Sequence, residues 1–75
     1  MPTIFRIGRV RVRMFFDDHH PPHCHVWTPD GEVEIALADL STMRGRISKD
    51  DYELAMAWIR DNIERLWQEW DRLNG

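Results

Sequence analysis

Apolar and polar residues alternate with a period of two along Thr3–Ile7 and again along Val10–Phe16, the pattern of half-buried strands. Gly8-Arg9 lies between them with glycine first, as a type II′ hairpin turn requires. That turn pairs Ile7 with Val10 and Phe5 with Val12. It predicts one face of Phe5, Ile7, Val10, Val12, Met14 and Phe16, with Arg6, Arg11 and Arg13 on the other. A second hairpin is predicted from His23–Pro29 and Glu32–Leu37 around Asp30-Gly31, a type I′ signal. Its register pairs Val26 with Ile35, Thr28 with Val33 and Cys24 with Leu37, and leaves His23, His25, Trp27, Glu32 and Glu34 on the polar side. Glu34 then lies opposite Trp27 and diagonal to His25.

The period changes after residue 47. Asp39–Arg46 reads as a connector with a short edge strand around Ser41–Met43. Ser48 is a suitable N-cap, and Asp50 and Asp51 favour a first helical turn. Tyr52, Ala55, Ile59, Ile63, Leu66, Trp70 and Leu73 form a stripe at three- and four-residue spacing. The expected fold is α+β: two antiparallel β-hairpins forming a sheet of four to five strands, with one long C-terminal helix on one face. Residues 1–75 form a single domain, 1–47 the sheet part and 48–74 the helix. A helix of about 25 residues runs near 37 Å, against about 20 Å for six-residue strands. Its end, with Leu66, Trp67, Trp70 and Leu73, is therefore expected to overrun the sheet and serve as an interface for a partner protein or a second copy.

A core built from 75 residues is small enough to need a staple such as a metal ion, a disulfide or an oligomeric partner. Cys24 is the single cysteine and excludes an internal disulfide, which fits a reducing cytoplasm. No apolar run approaches the roughly 18–20 residues that span a bilayer. The net charge of -3 disfavours a generally cationic nucleic-acid binder, but Arg6, Arg9, Arg11 and Arg13 are gathered in the first 13 residues and leave room for a basic patch.

Between the hairpins runs Asp18-His19-His20-Pro21-Pro22-His23-Cys24-His25-Val26. With Met1-Pro2-Thr3-Ile4, the glycine-turn hairpin, and a helix carrying Trp58, Asn62, Leu66, Trp70 and Leu73, the chain resembles the prokaryotic family catalogued as domain of unknown function 4160, whose most specific motif is Asp-His-x-Pro-Pro-His-x-His-Val. The resemblance places His20 at a variable position and Cys24 where an aliphatic residue is usual, and it singles out His19, His23 and His25. It implies no activity. Genes of this family often stand beside those of another small family, domain of unknown function 2442, in pairs that look like toxin–antitoxin modules.

Two chemistries suit the histidines. His23 and His25 project from one strand face about 6–7 Å apart. The rigid Pro21-Pro22 step can carry His19 over them, and Glu34 adds a carboxylate; three imidazoles and an oxygen suit zinc. Without a metal, His19, His23 and His25 could act as catalytic acid and base on RNA or a nucleotide, with Arg11 and Arg13 holding phosphate. Against both stands a purely structural role, with the ring nitrogens bonded to carbonyls beside the prolines. A histidine-triad hydrolase is excluded because Trp27 stands where a further histidine is needed, and helix-turn-helix recognition because there is one, acidic, helix. The expectation is a cytoplasmic protein-binding component of a two-gene, toxin–antitoxin-like unit, the alternative a histidine-based or metal-dependent hydrolase.

Overall fold

The structure is a computed structural model that describes residues 3–75; Met1 and Pro2, which the resemblance counts, lie outside the described residues. Five strands, β1 (Thr3–Ile7), β2 (Val10–Met14), β3 (His23–Thr28), β4 (Gly31–Ala36) and β5 (Thr42–Arg46), form one antiparallel sheet in chain order. Two helices follow, α1 (Lys49–Asp61) and α2 (Ile63–Asn74).

The first hairpin has the expected register, Ile7 opposite Val10 and Phe5 opposite Val12, with Gly8 in the left-handed region at φ +57. Phe16 does not join the apolar face. The strand ends at Met14, the chain turns at Phe16-Asp17 with Asp17 at φ +57, and Phe16 is 72% exposed.

The second hairpin turns one residue earlier than expected. Thr28 pairs with Gly31, so Pro29-Asp30 is the loop, and the pairs are Val26–Val33, Cys24–Ile35, His25–Glu34 and Trp27–Glu32. A type I′ turn needs positive φ at both central residues, which neither Asp30 nor Gly31 takes. Proline after Thr28 and glycine at the fourth position instead match a type I turn. Thr28 reinforces it: its Oγ1 accepts from the Asp30 N–H (3.2 Å) and donates to the Gly31 carbonyl (3.3 Å). The two-residue shift keeps each side chain on its predicted face but brings Glu34 directly opposite His25.

β5 extends to Arg46, beyond the expected Ser41–Met43, with a register shift opposite Glu34/Ile35. Gly45 permits the close pairing: it lies at φ +87, and a Cβ there would strike the Glu32 carbonyl.

Val10, Val12, Met14, Cys24, Val26, Val33 and Ile35 form the sheet's contribution to a single core, closed by Ala55, Met56 and Ile59 of α1 and Leu66, Trp70 and Leu73 of α2. Ser48 caps α1 by accepting from the Asp51 N–H, and Arg9 in the first turn donates to Asp51 (2.8 Å) and pairs with Asp30. The single long helix is not formed. At Asn62 (φ −120, ψ 20) the side-chain Nδ2 donates to the Trp58 carbonyl (2.8 Å), the competition by which a short polar side chain interrupts a helix. A straight Lys49–Asn74 helix would measure about 39 Å, whereas the longest dimension of the fold is 32 Å. The overhang therefore does not exist: Leu66, Trp70 and Leu73 are buried in the protomer and Trp67 is half-buried. Neither helix is long and apolar enough to cross a membrane.

Candidate metal centre

The sheet register fixes the polar face row by row. Directly opposed residues share a face, so Arg13, His25, Glu34 and Arg44 form one row across β2–β5, and Arg11, Trp27, Glu32 and Arg46 form the next. The arginine and histidine faces thus coincide.

His23 enters from the start of β3, two residues before His25, with its ring 4.8 Å from the His25 ring. The connecting loop folds back over both. Asn74 at the end of α2 holds it, accepting from the Asp18 N–H (2.7 Å) and donating to the Phe15 carbonyl (3.2 Å). Phe15 packs edge-on against His25 at 4.8 Å, and Trp70 contacts the rings of His20 and His23, each at 5.6 Å. The His20–Pro21 peptide is cis.

Asp18 is the hub of the cluster. Its Oδ2 accepts from His25 Nε2 at 3.0 Å and stands 3.1 Å from His23 Nε2. Its Oδ1 accepts from the His19 N–H at 2.9 Å and lies 3.1 Å from His19 Nδ1. Partial burial opposes its ionisation, but the His25 hydrogen bond, the His19 amide and the neighbouring imidazoles outweigh it and hold the carboxyl below its usual range. Glu34, also buried, places Oε1 3.4 Å from His23 Nε2 and 3.9 Å from His19 Nε2, with Arg44 Nε 3.6 Å from its other oxygen.

Among these groups His23 is distinctive. Its side chain is wholly buried, and its Nδ1 lies 2.8 Å from the Pro21 carbonyl. A carbonyl only accepts, so Nδ1 carries the proton. Nε2 is left buried without a hydrogen bond, facing the carboxylates of Asp18 and Glu34. Two triads share it, Asp18–His23–His25 and His19–His23–Glu34, each with one ligand atom per residue and all within 4.8 Å.

The chain belongs to the family described as Domain of unknown function (DUF4160). Its profile matches residues 10–71, which takes in every side chain of the cluster. No curated protein and no solved structure matches the chain.

The DUF4160 domain brings together His19, His23, His25 and Glu34, the ligand set expected from the sequence, and adds Asp18, which that set omitted. Its signal was its position heading the histidine motif. Of the three histidines expected to be catalytic, His19 and His25 can be reached from solvent, whereas the enclosed His23 cannot itself touch a substrate. Arg13 lies directly opposite His25, its guanidinium 4.8 Å from the Trp27 ring centre. Arg11 turns toward the first hairpin and donates to the carbonyls of Gly8 and Val10. Cys24 points to the core, where burial pushes its thiol up to about 12.

Proposed function

We propose that this DUF4160 domain is a metal-binding protein whose divalent ion, most fittingly zinc, is held by His23, His25 and Asp18, with His19 and Glu34 beside its open positions. The carrying observation is the buried Nε2 of His23. With Nδ1 committed to Pro21, Nε2 presents a lone pair to two carboxylates, and a buried nitrogen so placed needs a cation. A proton there would point at neither carboxylate, since neither contact has hydrogen-bond geometry. A metal ion has no such directional mismatch. Ligands bonded to tetrahedral zinc at 2.0–2.1 Å stand about 3.3 Å apart; Asp18 stands 3.0 Å from His25 and 3.1 Å from His23, and Glu34 stands 3.4 Å from His23 and 3.9 Å from His19. The Nδ1–carbonyl bond is also the usual outer support of a metal-bound imidazole.

Two imidazoles and a carboxylate leave coordination positions open, and a bound ion would supply Lewis acidity for hydrolysis. A metal-dependent hydrolase is the enzymatic form of this reading, with His19 and the rim of His25 facing solvent. The first expectation from the sequence, a protein-binding component of a two-gene, toxin–antitoxin-like unit, drew its structural support from an exposed helix end, whose Leu66, Trp70 and Leu73 are buried in the protomer. Association with a neighbouring gene's product stays a separate proposal, tested by co-purifying the two.

Titration of chelator-treated protein with zinc, nickel, manganese and iron(II), followed by calorimetry and elemental analysis, tests the metal. One equivalent of zinc is expected in the wild type and none in a His23→Ala, His25→Ala double variant. Absence of uptake of all four ions by folded wild-type protein would overturn the reading.

A further inference from the structure

We infer that the polar face of the sheet binds single-stranded RNA, an inference that does not depend on a metal ion being present. Arg6, Arg11, Arg13, Arg44 and Arg46 all lie on this face, half of the chain's ten Lys and Arg residues, in a molecule of net charge -3. Four of the five, all but Arg44, form no ion pair with a carboxylate among the described residues, and Arg13 Nε is buried without a partner. Arg6 stands directly opposite Arg11, a like-charge pairing that costs stability unless an anion offsets it. A chain of phosphates supplies such charge at regular spacing.

The rest of the face selects the form of polynucleotide. Trp27 lies in the middle strand, flanked by Arg11 and Glu32 and half-buried, with the Arg13 guanidinium over its ring, so that a base can stack on the planar guanidinium–indole pair. An unpaired strand exposes its bases for such stacking, whereas a duplex hides them. The centre of the face, between arginine-bearing strands, holds an acceptor, Glu32, 48% exposed. Acceptors repel phosphate but bind hydroxyl and amino donors, and a 2′-hydroxyl is the donor that RNA has and DNA lacks. Arginines on phosphates, the Arg13–Trp27 pair against a base and Glu32 toward ribose make one arrangement.

Fluorescence anisotropy with a labelled single-stranded 12-mer of mixed-sequence RNA tests it, using chelator-treated protein and, in parallel, protein loaded with zinc. Binding is expected in both samples, weakening with salt. Arg13→Gln with Arg44→Gln should weaken it at least tenfold, and each arginine removed should lower the salt slope by about 0.7. Trp27→Ala should weaken it without changing that slope. Arg60→Gln, on the exposed side of α1, should bind as the wild type does. Circular dichroism establishes that each variant is folded. Undiminished binding by the arginine variant, no binding by the wild type, or equal affinity for DNA of the same sequence would overturn the inference. Metal uptake is read separately by calorimetry, so failure of the metal centre and failure of the RNA surface give different results.

Discussion

Cys24 and His23 are neighbours on β3, one directed into the core and the other toward the loop, and these settings give them opposite chemistry. Burial holds Cys24 as a thiol, with its pKa pushed up to about 12, so it offers no thiolate for a metal or an oxidant at neutral pH. Native protein at pH 8 should therefore fail to react with a thiol-specific disulfide reagent, and one equivalent should react after unfolding in guanidinium; rapid native labelling would contradict the burial. His23 is equally enclosed but makes one hydrogen bond of two, and the unused nitrogen carries the metal reading. His23, His25 and the face of Glu34 were legible because side chains two apart on a strand share a face, and His19 through the Pro21-Pro22 step and the motif that it heads with Asp18. Asp18 was not, because its carboxylate reaches the cluster from a loop shaped by Asp17 in the left-handed region, and irregular backbone leaves no period in the sequence.

At the scale of elements, the first hairpin followed its turn residues, and the second did not because two turns competed for the segment Thr28-Pro29-Asp30-Gly31. Proline's preset φ and the two Thr28 side-chain bonds favour the earlier turn over the type I′ turn that Asp-Gly suggests. The helix stripe was also legible. Its interruption was not, since Asn62 fits the apolar spacing and acts only through its bond to Trp58. The end of α2 has a specific effect on the site: Asn74 touches no proposed ligand side chain but fixes the loop at both Phe15 and Asp18. Asn74→Ala removes two hydrogen bonds at about 1 kcal/mol each. It is expected to lower thermal stability modestly and zinc affinity at least tenfold. Unchanged affinity by calorimetry would show that the loop holds its place alone.

For the molecule as a whole, the burial of Leu66, Trp70 and Leu73 turns a supposed contact surface into core. Trp70→Glu should therefore abolish cooperative unfolding rather than yield a folded protein of altered oligomeric state, and Leu66→Ala should cost about 2–5 kcal/mol. A folded Trp70→Glu protein of changed mass in light scattering would restore the interface reading. The first turn, the second turn and α1 are joined through Arg9, which bonds both Asp30 and Asp51. The Arg9 hydrogen bond, against the opposing effect of burial and helped by Ser48 and the guanidinium charge, holds the Asp51 carboxyl below its usual range. An unfolded aspartate titrates near 3.9, so the folded group's lower value adds stability that is present in full above about pH 4 and is lost as pH falls through the folded value. Asp51→Asn should lower the unfolding midpoint at pH 7 and flatten its decline below about pH 4. A parallel offset at every pH would show that the ion pair contributes no linkage.

The Pro21 carbonyl divides the His23 ring into two chemically separate ends. Methyl substitution at Nδ1, introduced as a histidine analogue, would break the bond to Pro21 and should register first as a lower melting temperature. At Nε2 it would leave that bond intact and should register as lost zinc uptake. The ring is therefore regiospecific: one nitrogen belongs to the architecture, and the other is the one on which the proposed ion depends.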